Sequence, residues 1–120
     1  MQKLLTLVFG ASLNPERHSN RVIGRLIENN FDVIGFGKKV GNINGVKIKL
    51  DFPKRKIDTI SMYMGALNQK PFIDQILSLK PRRIIFNPGA ENDILAELAR
   101  DNGIDVVEGC TMVMLALDEY

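Results

Sequence analysis

Short apolar runs alternate along the chain with segments in which apolar residues recur at helical spacing. The apolar runs, which we predict to be strands, span residues 4–9, 32–36, 58–62, 83–86 and 105–107. Continuous apolar runs are typical of parallel strands covered on both faces. Strands that alternate with helices predict an α/β fold. We expect a Rossmann-like, doubly wound, mainly parallel sheet of about five to six strands flanked by helices.

Three segments are predicted to be helices. The first presents its apolar face at Val22, Ile23, Leu26 and Ile27. We expect Ser19 or Asn20 to cap its start, and Asn29 with Asn30 to end it in a left-handed turn. The second follows Asn68 and is closed by Pro81. The third spans residues 91–102 before Gly103, with a buried face expected at Ile94, Leu95, Leu98 and Ala99.

Two stretches lack a clear period. Between residues 37 and 56, glycines and lysines interrupt the pattern. We expect a loop there with one short edge strand near residues 46–50, because lysines suit an exposed edge. Residues 111–117 are apolar throughout, which fits either a helix or a strand and predicts that most of the stretch is buried.

Composition narrows the class of protein. The 120 residues, 45% of them hydrophobic, give room for one core, so we expect a single domain over residues 1–120. A net charge of +2 is too small to indicate a nucleic-acid or membrane binder. One cysteine and one histidine favour a metal-free protein in a reducing, cytoplasmic setting. The first apolar run is interpreted as a strand and not as a signal peptide.

A ligand site is expected where the strand order reverses, beyond the carboxyl ends of the strands. Right-handed crossovers place that point between the first strand and residues 58–62. The first loop has Gly10, but Ser12 and Pro15 stand where a dinucleotide fingerprint has further glycines. This pattern disfavours an ordinary NAD or FAD site. It still lets backbone N–H groups and a helix N-terminus approach a phosphate.

Basic residues follow the second predicted strand. Lys38 and Lys39 stand where NAD enzymes carry an acidic residue for the ribose, so they favour a phosphorylated ribose, as in NADP or coenzyme A (CoA). Arg17, His18 and Arg21 add charge near the first loop. The alternative is that these cations are solvated surface.

Several ordered motifs resemble one family, the small stand-alone CoA-binding proteins, which are similar to the CoA-binding domain of the succinyl-CoA synthetase alpha subunit. The motifs are Gly10-Ala11-Ser12, Pro15, Arg17, Ser19, Lys39 after an Asp-Val-Ile strand, residues 57–63, residues 85–92, and Gly109-Cys110-Thr111. The resemblance runs from about Leu4 to Tyr120.

The resemblance implies a set of ligand contacts. Those to the CoA phosphates would come from Gly10, Ala11 and Ser12, with Arg17, Ser19 and Arg21 close by. The contacts to the phosphate on the ribose of the nucleotide would come from Lys39 and Lys38. Those flanking the adenine or pantetheine would come from Met62, Tyr63 and Met64, although Tyr63 could equally pack at the rim.

Other polar residues have two interpretations. For Cys110 we favour a buried small side chain over a thiol that forms a mixed disulfide with CoA. For Asn87, Glu91 and Asn92 we favour capping of the third helix over orientation of a thioester. We expect no catalytic residue and no metal ligand, because the single histidine has no partner in a known nucleophile motif.

The leading functional hypothesis is non-catalytic binding of CoA or an acyl-CoA as a small-molecule ligand. The synthetase relatives react through a histidine of a second domain, so the activity implied here stops at binding. The alternatives are an NADP-binding regulatory or redox module, and a CoA-linked enzyme subunit that needs a partner. A further alternative is a structural protein with a vestigial site, which forms a homodimer through residues 111–117.

Overall fold

A computed structural model describes residues 4–120 of the chain. Seven strands form one sheet: β1 (Leu5–Ala11), β2 (Asp32–Gly37), β3 (Gly41–Ile43), β4 (Val46–Lys49), β5 (Thr59–Met62), β6 (Arg83–Phe86) and β7 (Asp105–Glu108). The helices are α1 (His18–Glu28), α2 (Ala66–Gln69), α3 (Ile73–Ser78), α4 (Asp93–Asp101) and α5 (Thr111–Ala116). A turn of 3₁₀ helix, Lys70–Phe72, joins α2 to α3.

The strand order is β3-β4-β2-β1-β5-β6-β7. Every neighbouring pair is parallel except β3 with β4. After β1, the chain places β2, β3 and β4 on one side of β1, and it then places β5, β6 and β7 on the other side. The strand order therefore reverses between β1 and β5. The predicted fold class is confirmed, and the sheet has seven strands where about five to six were expected.

The core has two layers, one on each face of the sheet. On one face, Leu7, Phe9 and Ile60 pack with Ile76 of α3 and Leu95 of α4. On the other face, Val8 packs with residues of α1 and α5, which are Val22, Ile23, Leu26 and Leu115. Coverage on both faces explains why β5 and β6 are buried along their whole length and β1 along nearly all of it.

The stretch between β2 and β5 holds a hairpin that the sequence pattern did not predict. β3 and β4 are joined by Asn44 and Gly45, both with positive φ (50° and 86°). This two-residue turn suits the twist of paired strands. The predicted edge strand at residues 46–50 is present as β4, but β4 pairs with β2 on its other side, and β3 forms the edge of the sheet.

The helix ends agree with the prediction in part. Asn30 (φ 65°) and Gly103 (φ 75°) provide the expected left-handed stops after α1 and α4. The predicted cap of α1 is wrong, because the cap position is Arg17 and both Ser19 and Asn20 lie inside the helix. The Asn20 side chain donates to the Ser12 carbonyl of the preceding loop, and no side chain caps the helix start.

The second predicted helix is divided into α2, the 3₁₀ turn and α3. Asn68 lies inside α2 and does not cap it, and Pro71 stands at the start of the 3₁₀ turn. A proline has no N–H to donate to the preceding turn, which accounts for the break. In α4, Ile94 is 68% exposed, so its predicted burial is wrong, and Leu98 also lies at the surface.

Residues 111–117 form α5 and the residue that follows it. Only Thr111 and Leu115 of the helix are buried, whereas Val113 and Leu117 are 52% and 60% exposed. The expectation that most of this stretch is buried is therefore wrong, since a six-residue helix lying on a sheet buries one side only. Within residues 4–120, no helix is long and apolar enough to cross a membrane.

Candidate functional site

An open cleft of about 470 Å³ lies at the carboxyl ends of β1, β2 and β5, where the strand order reverses. Its walls are the three loops that follow these strands. They contribute Gly10, Ala11, Ser12, Leu13, Asn14, Arg17, Ser19, Lys38, Lys39, Tyr63, Met64, Gly65 and Asn68. The segments that follow these three strands carry the predicted contact residues, and they meet around one space.

Gly10 brings the first loop against the third. Its φ is +93°, and a Cβ at this position would lie 2.8 Å from the backbone nitrogen of Met64. The pairing of β1 with β2 also shifts register between Phe9 and Ala11. Only glycine fits here without strain, because a side chain would meet backbone and the φ is left-handed.

The rest of the first loop is held by its own hydrogen bonds. The Ser12 hydroxyl accepts from the Asn14 N–H at 3.1 Å, and the Asn20 side chain donates to the Ser12 carbonyl at 2.9 Å. The Arg17 N–H donates to the Asn14 carbonyl at 3.0 Å. These bonds fix the path of the chain from β1 to the start of α1.

The N-terminus of α1 opens towards this cleft. Its cap residue, Arg17, makes no side-chain hydrogen bond to the helix, and no residue of the first turn is acidic. The first-turn N–H groups and the positive end of the helix dipole are therefore left without a compensating side-chain oxygen. Such a helix start favours an anion.

The cleft is electropositive. Arg17, Lys38 and Lys39 are exposed side chains of its lining, and no aspartate or glutamate lines it. None of the three forms a salt bridge to another residue of the described chain. A negatively charged ligand would therefore meet three cations with no competing carboxylate in the lining.

Hydrogen bonds hold the third loop to β1 on one side and to Gln69 of α2 on the other. The Tyr63 N–H donates to the Phe9 carbonyl at 2.8 Å. The buried side chain of Gln69 donates to the carbonyls of Met64 and Ala90 at 2.6 and 2.8 Å, and accepts from Asn92. Sequence reasoning missed Gln69, since a glutamine in a helical segment carries no signal that its side chain holds a loop.

A second space of about 380 Å³, which we call the apolar groove, adjoins the cleft. It is lined by Phe36, Gly37, Lys38, Leu50, Met64, Leu67, Asn68, Pro71 and Phe72. Lys38, Met64 and Asn68 line both spaces, so one ligand could occupy the cleft and the groove together.

Two of the predicted contact residues are not part of the cleft. Met62 is 0% exposed and packs in the core, so its predicted role beside the ligand is wrong. Strand geometry explains this, because side chains alternate between faces and Met62 belongs to the core layer opposite the one that contacts Tyr63. Arg21 is exposed outside the lining, where its Nε donates to the Pro15 carbonyl at 3.2 Å.

The residues proposed as helix caps have different roles. Asn92 caps α4, since its side chain accepts from the Leu95 N–H at 3.1 Å. Asn87 is 1% exposed and does not cap α4. Its amide donates to the Ser61 hydroxyl and accepts from the Thr111 N–H at 2.8 Å, so it joins β5 to the start of α5. The Glu91 carboxylate accepts from the Gly89 N–H, and half-buried Cys110 does not line the cleft.

Solved structures with similar folds support this architecture. One, an uncharacterized protein, is 37% identical, covers 100% of both chains and has a TM-score of 0.94. A hypothetical protein from Pyrococcus horikoshii OT3 is 24% identical (TM-score 0.81; 92% of this chain and 80% of that one). No functionally curated protein matches the chain.

A larger protein contains the same fold as one part. It is a dinucleotide-forming acetyl-coenzyme A synthetase from Ca. Korarchaeum cryptofilum, 18% identical, with a TM-score of 0.69 over 88% of this chain and 25% of that one. A family model described as a CoA binding domain matches residues 5–116 of the chain. The chain therefore belongs to the CoA-binding domain family.

Proposed function

We propose that this protein binds CoA or an acyl-CoA in the cleft and does not itself catalyse a reaction. The observation that carries the proposal is the charge of the lining, which combines Arg17, Lys38 and Lys39 with no carboxylate. This lining lies at the strand-order reversal of a chain in the CoA-binding domain family.

The phosphates of CoA match the polar part of the cleft. The pyrophosphate would lie between the backbone of Gly10 to Ser12 and the start of α1, where the N–H groups are uncapped. The 3′-phosphate would meet Lys38 and Lys39 after β2, because ammonium groups pair well with a phosphate dianion. In this arrangement, the basic residues of the cleft all contact a single ligand.

The apolar part of CoA matches the apolar groove. Met64 lines both spaces, so a ligand whose phosphates occupy the cleft could place its adenine ring or pantetheine arm against the groove. Aromatic and aliphatic lining favours such groups through burial of apolar surface. The groove side chains include Phe36 and Phe72, whose ring centroids lie 5.3 Å apart.

The non-catalytic role is inferred from the chemistry of the lining. It contains no histidine, cysteine or carboxylate, the side chains that most often act as general bases or activated nucleophiles. Ser12, Ser19 and Tyr63 supply hydroxyl groups, but no histidine or carboxylate lines the cleft beside them to accept a proton. Binding alone therefore accounts for the residues present.

Thermal-shift titrations with CoA, dephospho-CoA, acetyl-CoA, NADPH and NADH test the proposal. CoA at a hundred times its Kd should stabilise the protein by about 2.7 kcal/mol, and dephospho-CoA at the same concentration should stabilise it less. A shift with NADPH alone would favour the second candidate, an NADP-binding module, which the same lysine pair would suit through the 2′-phosphate. No shift with any nucleotide would contradict both.

Charge reversal at Lys39 tests how the nucleotide phosphate is recognised. Lys39→Glu should weaken CoA binding about tenfold or more, since a phosphate would then face a carboxylate, and should weaken dephospho-CoA much less. Isothermal titration calorimetry measures both affinities. Lys47→Glu, at an exposed position of β4 outside the cleft, is the matched control. Equal losses for the two ligands would show that Lys39 does not contact the 3′-phosphate.

A further inference from the structure

The short helix that follows the third loop buries a single side chain, and that side chain is polar. Of residues 66–69, which form α2, only Gln69 is buried, with 0% exposure, whereas Leu67 is 84% exposed. Phe72 packs against the core just beyond the helix, but residues 66–69 themselves bury no apolar side chain. Since four residues do not form a stable helix alone, the place of α2 at the cleft depends on the contacts of Gln69.

The side-chain amide of Gln69 is fully hydrogen-bonded, and its orientation is fixed. Its Nε2 donates to the Met64 carbonyl at 2.6 Å and to the Ala90 carbonyl at 2.8 Å. Its Oε1 accepts from the Asn92 side chain at 2.9 Å. The other side-chain atom of Asn92 accepts from the Leu95 N–H, which can only donate. The start of α4 therefore orients Asn92, and Asn92 in turn orients Gln69.

Met64 is the residue through which Gln69 can act on a ligand. Met64 lines both the cleft and the apolar groove. The first loop also packs against it, because a Cβ on Gly10 would lie 2.8 Å from the Met64 backbone nitrogen. The carbonyl that Gln69 holds thus belongs to the residue at which the first loop, the third loop and the groove meet.

Loss of the Gln69 amide would leave the Met64 and Ala90 carbonyls without these donors. A backbone carbonyl that loses its partner is stabilised again only when it reaches another donor or water. The third loop borders the open cleft, so a change in its conformation would bring the Met64 carbonyl to water. The Gln69 amide therefore favours the loop conformation seen in the structure.

We propose that Gln69 is a positioning residue, which holds the Met64 carbonyl and thereby keeps the third loop in the conformation that binds CoA. The inference rests on the proposed CoA site and adds a residue that sets the affinity without contacting the ligand, since Gln69 lines neither the cleft nor the apolar groove. Asn92 extends the same link to the start of α4. When the binding conformation is only partly populated, the apparent affinity falls by that fraction.

Gln69→Leu tests the inference, because it removes the amide and keeps a side chain of similar volume. At a temperature where circular dichroism shows the variant to be folded, its CoA affinity in calorimetry should be about fivefold to tenfold weaker. Thr59→Val is the matched control, since it removes a buried hydroxyl that accepts from the Arg83 guanidinium at the opposite end of β5. Both variants should melt at a lower temperature, but Thr59→Val should keep the wild-type affinity.

Asn92→Ser gives a second test if Gln69→Leu does not fold. A serine hydroxyl can still cap α4 by accepting from the Leu95 N–H, but it no longer reaches Gln69. The CoA affinity should fall by about twofold to threefold, because Gln69 then keeps its donors but loses the bond that orients them. Unchanged affinity in this variant would overturn the link from α4 to the third loop.

The methyl resonance of Met64 shows whether the loop itself changes. With methyl-¹³C methionine, and with Met64→Leu to assign the signal among the five methionines, the resonance in free Gln69→Leu should differ from that of the free wild type. The two should coincide at saturating CoA, because the ligand restores the loop. An equal offset with and without CoA would overturn the inference, since it would report only the local effect of the substitution.

The outcomes separate this inference from the proposed function. Calorimetric binding of CoA to the wild type with the same affinity in Gln69→Leu would show that Gln69 contributes to stability alone, and would leave the CoA site intact. No CoA binding to the wild-type protein at millimolar concentration would overturn both proposals.

Discussion

Gly10 allows the first and third loops of the cleft to pack against each other, because it has no Cβ atom. A Cβ at this position would lie 2.8 Å from the Met64 backbone nitrogen, and the φ of +93° disfavours any other residue. Gly10→Ala should therefore destabilise the protein by about 2–4 kcal/mol, as strain adds to a backbone clash. Urea unfolding measures the loss.

Gly65 provides the matched control in the same cleft. It has an ordinary φ of −63° at the start of α2, and a Cβ there would meet nothing within 4 Å. Gly65→Ala should change the free energy of unfolding by less than about 0.5 kcal/mol. Equal losses in the two variants would show that the contact of the first loop with the third does not constrain the fold.

Single residues also mark how far the sequence predicts the candidate site. Lys38 and Lys39 follow a strand that the apolar pattern identifies, so their place at the cleft could be predicted. Met62 lies one residue before the chain enters the cleft, and its side chain faces the core. Strand ends are predicted to within a residue or two, which is too coarse to decide which side chain faces the ligand.

At the scale of the secondary-structure elements, the start of α1 carries a conflict between stability and binding. Arg17 occupies the cap position, where serine, asparagine or aspartate would satisfy a helix N–H group. Arg17→Ser should stabilise the protein by about 0.5–1 kcal/mol through such a cap. The same change removes a cation from the cleft, so the CoA affinity should fall about fivefold or more.

The two effects of Arg17→Ser are measured separately, by urea unfolding without ligand and by calorimetry with CoA. Arg25→Ser, in the last turn of α1 and outside the cleft, is the control that removes a cation without adding a cap. Unchanged CoA affinity in Arg17→Ser would remove Arg17 from the proposed phosphate contacts. A loss of stability would contradict the capping argument.

The elements differ in how much of their structure the sequence determines locally. Central strands and the ends of α1 and α4 follow from apolar runs and from left-handed stops at Asn30 and Gly103. The β3–β4 hairpin had a local signal that was overlooked, the Asn44-Gly45 pair between apolar residues. The break between α2 and α3 has a local cause in Pro71, whereas the hydrogen bonds of Gln69 to the Met64 and Ala90 carbonyls are tertiary contacts that no local pattern reveals.

At the scale of the whole molecule, an ion pair joins the amino-terminal ends of β5 and β6, at the opposite end of these strands from the cleft. The Asp58 carboxylate accepts hydrogen bonds from the Arg82 guanidinium at 2.9 and 3.0 Å and from the Thr59 hydroxyl at 2.7 Å. Burial raises the pKa of Asp58, but the bonds from Arg82 and Thr59 outweigh burial and hold the pKa below its ordinary value.

The lowered pKa of Asp58 predicts a pH dependence of stability. The folded protein binds the Asp58 proton less tightly than the unfolded chain, so the stabilisation is present above the ordinary carboxyl pKa of about 4 and is lost as the pH falls below it. Urea unfolding between about pH 2 and 6 should show a shallower acid loss in Asp58→Asn than in the wild type. Asp51→Asn, at an exposed residue without a salt bridge in the described chain, should keep the wild-type slope.

Tyr120 contacts residues from distant parts of the chain, on the face of the sheet that α1 and α5 cover. Its ring lies 4.8 Å from that of Phe31, its hydroxyl is bonded to Thr6, and the guanidinium of Arg83 lies 4.4 Å from its ring centroid. Arg83 is only 8% exposed and forms no salt bridge to any described residue, so the Tyr120 ring, the Thr59 hydroxyl and the nearby Asp58 carboxylate compensate its charge.

Removal of the Tyr120 ring should therefore cost more than its packing alone. Tyr120→Ala removes aromatic contacts and also removes the ring over which the buried Arg83 guanidinium lies. We therefore expect the free energy of unfolding, measured with urea, to fall by about 3 kcal/mol. In the Tyr120→Ala background, Arg83→Met should restore part of the loss, because an apolar side chain needs no compensation there. If Arg83→Met instead adds to the loss, the arginine does not depend on Tyr120, and its charge is balanced by other groups.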